Sequence, residues 1–300
     1  EEPAALAMAV EKAKETDAEL VMASDPDADR VGAAVKNNEG EWVLLNGNQT
    51  ALMFVYYLIT RWKELGKING KEYIVKTIVT TETIKTIAER NGVEMYDVYT
   101  GFKWIANVMR ENEGKKNYIG GGEESYGFLC EDFVRDKDAV SACVILAEIA
   151  AWAKDQGLSL YQLLQKIYVE YGFSKEKGIS VVKKGKSGAE EIEAMMKKFR
   201  ENPLTEIAGS KVTYFYDYST LKGKDYAENE TVTLDMPTTS NVLQYFTEDN
   251  TKVSIRPSGT EPKIKFYCEV HSKVKSIDEL PEAEKAAEEK INQIKASLGI

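Results

Sequence analysis

Two apolar runs, Leu20-Val21-Met22-Ala23 and Val31-Gly32-Ala33-Ala34-Val35, flank the segment Ser24-Asp25-Pro26-Asp27-Ala28-Asp29-Arg30. Short apolar runs on either side of a Pro- and Asp-containing stretch read as two buried strands joined by a tight polar turn. Three carboxylates then alternate along one loop. At ~4 Å each like-charge pair costs about 1 kcal/mol in water and several times more in a drier cleft, so such a cluster holds a cation or a proton. An oxygen-only set with no neighbouring His or Cys favours a hard ion, Mg2+ above all beside phosphate. A solvated Asp-Pro-Asp turn is the competing reading. A third Asp in step, with Arg30 attached, argues against it.

Two other acidic loops share part of this pattern. An EF-hand also uses Asp at its first, third and fifth positions, but it needs Gly sixth and Glu twelfth, where this chain has Arg30 and Lys36. A haloacid-dehalogenase-type phosphatase would use Asp27-x-Asp29-x-Val31 with Asp27 as nucleophile at the end of an apolar strand. Here Asp25 and Pro26 interrupt the strand just before it, which leaves that reading as the alternative.

The 300 residues, 43% hydrophobic, are enough for two or three domains with a real core. The apolar stretch from Ala51 to Ile59 is too short to span a bilayer and the N-terminus is charged, so a soluble protein with no membrane partner is expected. A net charge of -10 argues against general nucleic-acid binding. Cys130, Cys143 and Cys268 lie far apart without C-x-x-C spacing, which suggests reduced thiols and a cytoplasmic protein. The single histidine, His271, would have to carry any His-based chemistry alone, and a structural role is expected for it.

In chain order, a helix is expected from Pro3 to Thr16, then the aspartate hairpin, then a long apolar helix capped within Asn46-Gly47-Asn48-Gln49-Thr50 and running to about Leu65. A turn-rich linker, Gly66 to Gly70, closes a first block, 1–68. The second block, 69–172, alternates strand (Tyr73 to Val79), helix (Glu82 to Asn91), strand (Val93 to Val98) and helix (Lys103 to Glu111), an α/β layout whose ligand loops follow the strands' C-terminal ends. Asp136 and Asp138 read as caps of an apolar helix from Ala139 to Lys154. The third block, 173–300, places a strand at Gly178 to Val182, a helix at Ala189 to Arg200, several strands and a last helix from about Asp278 to Leu298, an α+β module with helices on one face of a mainly antiparallel sheet. Gly185-Lys186-Ser187 resembles the end of a P-loop, but Ser180 stands where its first glycine belongs.

Three further loops carry chemistry. Thr100-Gly101-Phe102-Lys103 lies after a strand, with helix capping by Thr100 as its structural explanation. In Gly120-Gly121-Gly122-Glu123-Glu124-Ser125, Glu123 and Ser125 stand two apart in a segment read as extended, where they can accept from and donate to vicinal hydroxyls of a sugar. Arg256-Pro257-Ser258-Gly259-Thr260, followed by Lys263 and Lys265 on one strand face, combines a guanidinium, two hydroxyls and a glycine-bearing turn into an anion cradle suited to phosphate.

These four loops, Asp25-Pro26-Asp27-Ala28-Asp29-Arg30, Thr100-Gly101-Phe102-Lys103, Gly122-Glu123-Glu124-Ser125 and Arg256-Pro257-Ser258-Gly259-Thr260, in this order resemble the α-D-phosphohexomutases, and the likeness covers essentially the whole chain. The resemblance implies two layered α/β mutase-type domains, the first incomplete, followed by an α+β, TATA-binding-protein-like C-terminal domain. It implies Mg2+ on Asp25, Asp27 and Asp29, catalytic roles for Arg30 and Lys103, and substrate contacts from Gly101, Glu123, Ser125, Arg256, Ser258, Gly259, Thr260 and Lys265. The implied reaction interconverts hexose 1-phosphate and hexose 6-phosphate through glucose 1,6-bisphosphate or its counterpart, by charge neutralisation around a moving phosphoryl group. The family's phosphoserine sits in a Ser-His loop that is absent here, since Val270 precedes His271. The nucleophile is therefore expected outside these residues. A non-catalytic sugar-phosphate binding protein is a further alternative, and the sequence fixes neither the choice among glucose, mannose and glucosamine nor an oligomeric state.

Overall fold

Strands β1 (Leu20–Ser24) and β2 (Val31–Lys36) pair antiparallel from Leu20↔Val35 to Ser24↔Val31, so the aspartates occupy the connection of a hairpin. The structure, a computed structural model, describes residues 3–183, 185–259 and 261–300. These fall into two compact units, Glu1–Gly172 and Phe173–Ile300. The division expected after residue 68 falls inside the first unit, between two separate sheets.

In the first unit β3 (Trp42–Leu45), too short to stand out in the sequence, adds to β2 and completes a three-stranded sheet. Helix α1 (Pro3–Glu15) lays Leu6 and Ala13 on it, against Val21 and Ala34. Helix α2 (Gly47–Glu64) starts where expected: Asn46 accepts from the Gln49 N–H while the Gln49 side chain accepts from the Asn46 N–H, a reciprocal cap. From Ala51 to Ile59 every residue of α2 is buried, which explains an apolar run without a polar face.

The second sheet contains β4 (Glu72–Thr77), β5 (Glu94–Val98), β6 (Asn117–Gly122) and β7 (Phe128–Cys130) in the order β5-β4-β6-β7. Strand β4 runs parallel to β5 and β6, and β7 returns antiparallel. All six residues of β4 are buried, as befits a central strand covered on both faces. Helices α3 (Thr83–Arg90) and α4 (Phe102–Asn112) make the crossovers, and α5 (Ala139–Asp155) and α6 (Leu160–Tyr171) follow the sheet. Of the two aspartates expected to cap α5, only Asp138 does so, accepting from the Val140 and Ser141 N–H groups; Asp136 bonds the N–H of Lys137 instead. Helix α6 was not anticipated, although Ser159 and Gln162 form another reciprocal cap at its start.

The second unit is built on one antiparallel sheet. Its strands β8 (Phe173–Val182), β9 (Glu206–Ile207), β10 (Ser210–Asp217), β11 (Lys222–Asp225), β12 (Glu230–Thr233), β13 (Leu243–Thr247), β14 (Lys252–Pro257) and β15 (Lys263–Ser272) are ordered β12-β11-β10-β13-β14-β15-β8, with β9 paired to β10. Strand β8 begins five residues before the expected Gly178. Lys175 and Lys177, which precede the expected strand, are ion-paired there to Glu284 and Glu288 of the last helix. Helices α7 (Gly185–Glu201) and α8 (Leu280–Leu298) cover one face, where Ile264, Phe266 and Cys268 alternate inward and Phe199 of α7 stands edge-on to Phe266 at 6.3 Å. The expected α/β-then-α+β order is the observed one.

Candidate functional site

The aspartate turn closes on itself. Asp25 Oδ1 accepts from the N–H groups of Asp29 (3.0 Å) and Arg30 (3.1 Å), and the Asp25 carbonyl accepts from Ala28, which adopts a left-handed φ of 56°. Burial, the largest single influence on the Asp25 carboxyl, raises its pKa, but the Arg30 and Asp29 amides and the Arg30 charge outweigh it and hold the value below the ordinary one. Asp27 is exposed at the tip, and Asp29 turns inward.

Two neighbours fix this loop in the first unit. The Ala139 N–H, in the first turn of α5, donates to the Ala28 carbonyl, and the Val31 N–H donates to the Tyr126 carbonyl at 3.2 Å. The second bond joins the aspartate hairpin to the turn between β6 and β7. That turn is a correction to the extended segment expected around Glu123 and Ser125: β6 ends at Gly122, the chain reverses over 123–127, and Tyr126 takes a φ of 70°. A left-handed conformation at a bulky aromatic is uncommon and persists only where its surroundings over-determine it.

Glu123, 6% exposed, points its Oε1 at the N–H of Gly101, 2.7 Å away. Gly101, not Thr100, is the N-cap of α4, with no side-chain cap and a φ of 113° that only glycine adopts without strain. Lys103 lies exposed on the first turn of α4, its ammonium 5.0 Å from the Trp104 ring centroid. Ser125 is part-buried in the turn itself. Thus the loops containing Asp25 to Arg30, Gly101 to Lys103 and Glu123 to Ser125 meet in one unit.

Sequence reasoning missed Lys137. Its ammonium is 2.8 Å from Asp29 Oδ2 and 6.0 Å from the Phe102 ring centroid, and its side chain is 16% exposed. Burial disfavours its charge, but the bonded Asp29 carboxylate, with Asp136 and Glu123 nearby, raises its pKa above the ordinary lysine value. A lysine between two aspartates just before a helix reads as solvated, so no sequence signal marked it.

Among the described residues no group of three or more His, Cys, Asp or Glu side chains is gathered closely enough to hold a metal ion. The reason is local: Asp25 is turned onto its own loop's amides and Asp29 onto Lys137. The donor set nevertheless suits a hard cation. It is all oxygen, and Asp29 Oδ1 is buried without a hydrogen bond, 3.8 Å from Arg30 Nε.

The basic loop stands in the second unit. Arg256 and Lys265 are cross-strand partners on β14 and β15, so their side chains leave the same face, with Lys263 two residues along it. The Ser258 N–H donates to the Lys263 carbonyl at 2.8 Å, Ser258 Oγ accepts from the Glu261 N–H at 3.3 Å, and Lys263 pairs with Glu261. Gly259 is exposed, and Thr260 lies outside the described residues. A cavity of about 500 Å³ opens beside this loop, lined by Ser258, Pro262 and Lys263 and by Met196 of α7.

Residues 46–171 match the family described as phosphoglucomutase/phosphomannomutase, alpha/beta/alpha domain III, and residues 180–287 match its C-terminal domain. The chain is 34% identical over 271 residues to a phosphoglucomutase of Staphylococcus haemolyticus, covering 90% of this chain and 48% of that protein. It is 38% identical over 267 residues to one of Staphylococcus aureus, covering 89% and 47%. It therefore spans about half the length of the curated relatives it matches. Among solved structures, a phosphoglucomutase/phosphomannomutase family protein of Burkholderia thailandensis superposes with a TM-score of 0.61 at 19% identity, over 99% of this chain and 51% of that one. The exocytosis-sensitive phosphoprotein parafusin of Paramecium, in its open form, gives 0.57 at 18% identity, over 86% and 41%. Both likenesses concern the fold. No described helix is long and apolar enough to cross a membrane.

Proposed function

Since the chain belongs to the phosphoglucomutase/phosphomannomutase family, we propose that it supplies metal, sugar and phosphate recognition to a cytoplasmic enzyme interconverting hexose 1-phosphate and hexose 6-phosphate. The observation that supports this most is the convergence of three loops distant in sequence, through the Gly101–Glu123 and Val31–Tyr126 hydrogen bonds. A turn that merely reversed the chain would need neither a buried carboxylate nor a left-handed tyrosine.

In this reading Asp25, Asp27 and Asp29 hold Mg2+, which when bound neutralises charge developing on a transferred phosphoryl group. Arg30, Lys137 and Lys103 add fixed positive charge in the same unit. With Oε1 committed to Gly101, Glu123 has its other carboxylate oxygen for a sugar hydroxyl, and Ser125 can donate or accept beside it. Gly101 shapes the backbone against which the sugar lies. In the second unit Arg256, Ser258, Gly259, Thr260 and Lys265 take the phosphate that stays in place.

Nothing in this set stores a phosphoryl group between two half-reactions. That task belongs to a phosphoserine, and the reading places it outside these 300 residues, with glucose 1,6-bisphosphate as intermediate. The dehalogenase-type alternative is disfavoured because β1 ends at Ser24 and Asp27 lies at the exposed tip of a hairpin turn. Calorimetry with glucose 6-phosphate and Mg2+, next to a coupled dehydrogenase assay, tests the proposal. The chain is expected to bind the sugar phosphate without turning over glucose 1-phosphate; absence of binding, or robust turnover, overturns it.

A further inference from the structure

The turn 123–127 is held from below as well as from the site. While Glu123 faces Gly101, the next residue, Glu124, faces the opposite way. Its Oε2 accepts from Thr77 Oγ1 at 3.2 Å and lies 3.5 Å from Thr80 Oγ1, the two hydroxyls being 2.7 Å apart, and its N–H donates to Thr80 Oγ1 at 3.1 Å. Both threonines are fully buried at the C-terminal end of β4. The first turn of α2 closes against the same residue: a Cβ on Gly47 would fall 2.0 Å from the Glu124 carbonyl oxygen. Asn48, one residue on, accepts from the Thr81 N–H at 2.9 Å, which ties α2 to the loop after β4.

The Glu124 carboxylate is part-buried, and the loss of part of its water is offset where it organises its surroundings. What it organises is the strained reversal at Tyr126 and, through it, the direction of Glu123 and Ser125. We propose that Glu124 is a positioning residue for sugar recognition: bound to Thr77 and Thr80, it sets the presentation of Glu123 and Ser125 to the hydroxyls of a hexose phosphate. This rests on the sugar-reading roles argued above. The carboxylate acts here as a hydrogen-bond acceptor, so an amide that keeps the acceptor should serve where a methyl group does not.

The test is calorimetric titration of this chain with glucose 6-phosphate and, separately, inorganic phosphate, in the wild type and in Glu124→Ala, Glu124→Gln, Thr80→Val and Thr80→Ser. Loss of hydrogen bonds to a charged group predicts a fall of roughly tenfold or more in glucose 6-phosphate affinity for Glu124→Ala and Thr80→Val. Inorganic phosphate affinity should stay within about twofold, Thr80→Ser should bind both ligands like the wild type, and Glu124→Gln should lose clearly less glucose 6-phosphate affinity than Glu124→Ala. Unchanged glucose 6-phosphate affinity in Glu124→Ala and Thr80→Val overturns the inference, as does an equal loss for both ligands or a Glu124→Gln variant as impaired as Glu124→Ala. A wild-type chain that does not prefer glucose 6-phosphate to inorganic phosphate overturns the sugar-reading assignment itself.

Discussion

The N–H of Gly101 donates to Glu123 Oε1 at 2.7 Å across 22 residues of chain, joining the loop after β5 to the turn after β6. One carboxylate thereby serves two purposes, as the anchor of a backbone amide and as a candidate ligand for a sugar hydroxyl. Replacing Glu123 by Ala removes both. Hydrogen bonds to charged groups contribute about 1.5–3 kcal/mol, so glucose 6-phosphate binding to Glu123→Ala should weaken by at least roughly tenfold. Glu123→Gln keeps the acceptor for Gly101 and should lose less. Equal binding by wild type and Glu123→Ala in a calorimeter would remove Glu123 from the site.

Gly47 meets the Glu124 carbonyl so closely that a methyl group cannot be accommodated without moving backbone. Overpacking of this kind costs about 1–3 kcal/mol, and here the shift falls on the turn that carries Glu123 and Ser125. Gly47→Ala should lower the melting temperature and the glucose 6-phosphate affinity together. A variant that melts and binds like the wild type would show that α2 does not brace the turn.

Lys137 holds Asp29 Oδ2, so a divalent cation at the aspartate turn must compete with an ammonium already in place. Each like charge at ~4 Å costs about 1 kcal/mol in water. Against the two charges of Mg2+ this is about 2 kcal/mol, so Lys137→Met should bind the ion roughly thirtyfold more tightly, while Asp27→Ala should lose what binding there is. Mg2+ titrations in which Asp27→Ala matches the wild type would place the metal elsewhere. Tighter binding in Lys137→Met with normal loss in Asp27→Ala is the expected pair of results.

Arg256 and Lys265 leave one face of the sheet as register partners, a geometry that presents two cations to one anion. Arg256→Ala should weaken inorganic phosphate binding by roughly tenfold or more, because a guanidinium fork on phosphate is a charge-assisted, bidentate contact. Equal phosphate affinity in Arg256→Ala and wild type, followed by phosphorus resonance shifts, would refute the cradle.

Much of this arrangement was legible in residue order. The aspartate hairpin follows from Pro26 between two apolar runs, the start of α2 from the break at Asn46 to Thr50, and strand β4 from the strand-and-helix alternation that begins at Tyr73. What escaped depends on contacts that periodicity cannot report. Lys175 and Lys177 precede the expected strand, and Glu284 and Glu288, more than a hundred positions away, neutralise them. Lys137 reads as a solvated neighbour of two aspartates until a third one, Asp29, comes to it from another hairpin. The reversal at Tyr126 was hidden for a similar reason. Its left-handed backbone is imposed by Val31, Thr80 and Gly47 from outside the turn, whereas local propensity at Glu-Glu-Ser-Tyr favours no such conformation.

His271, paired with Glu269, shapes the pH response of the second unit. On the second unit's sheet Glu269 lies between Lys252 Nζ at 2.9 Å and His271 Nε2 at 2.6 Å, and Lys252 and Glu269 are cross-strand partners. Burial, the largest single influence, disfavours charge on the imidazole. The Glu269 carboxylate, helped by Glu176 and opposed by Lys252, outweighs it and raises the pKa above the ordinary 6.5. Burial likewise raises Glu269, but Lys252 and His271 outweigh it and hold that carboxyl well below the usual carboxylate range. A histidine whose pKa is raised on folding contributes stability that is fully present below its unfolded value and is lost as pH rises through the folded one. The depressed Glu269 contributes above its unfolded value and is lost only in acid. The unit should thus be most stable on the acidic side of pH 6.5 and lose part of that stability through neutral pH, and His271→Phe should flatten this decline. Because His271 is the chain's single histidine, its imidazole resonances report it alone. An NMR midpoint at or below 6.5, or the same decline in melting temperature in His271→Phe, would show that the Glu269 contact does not govern its titration.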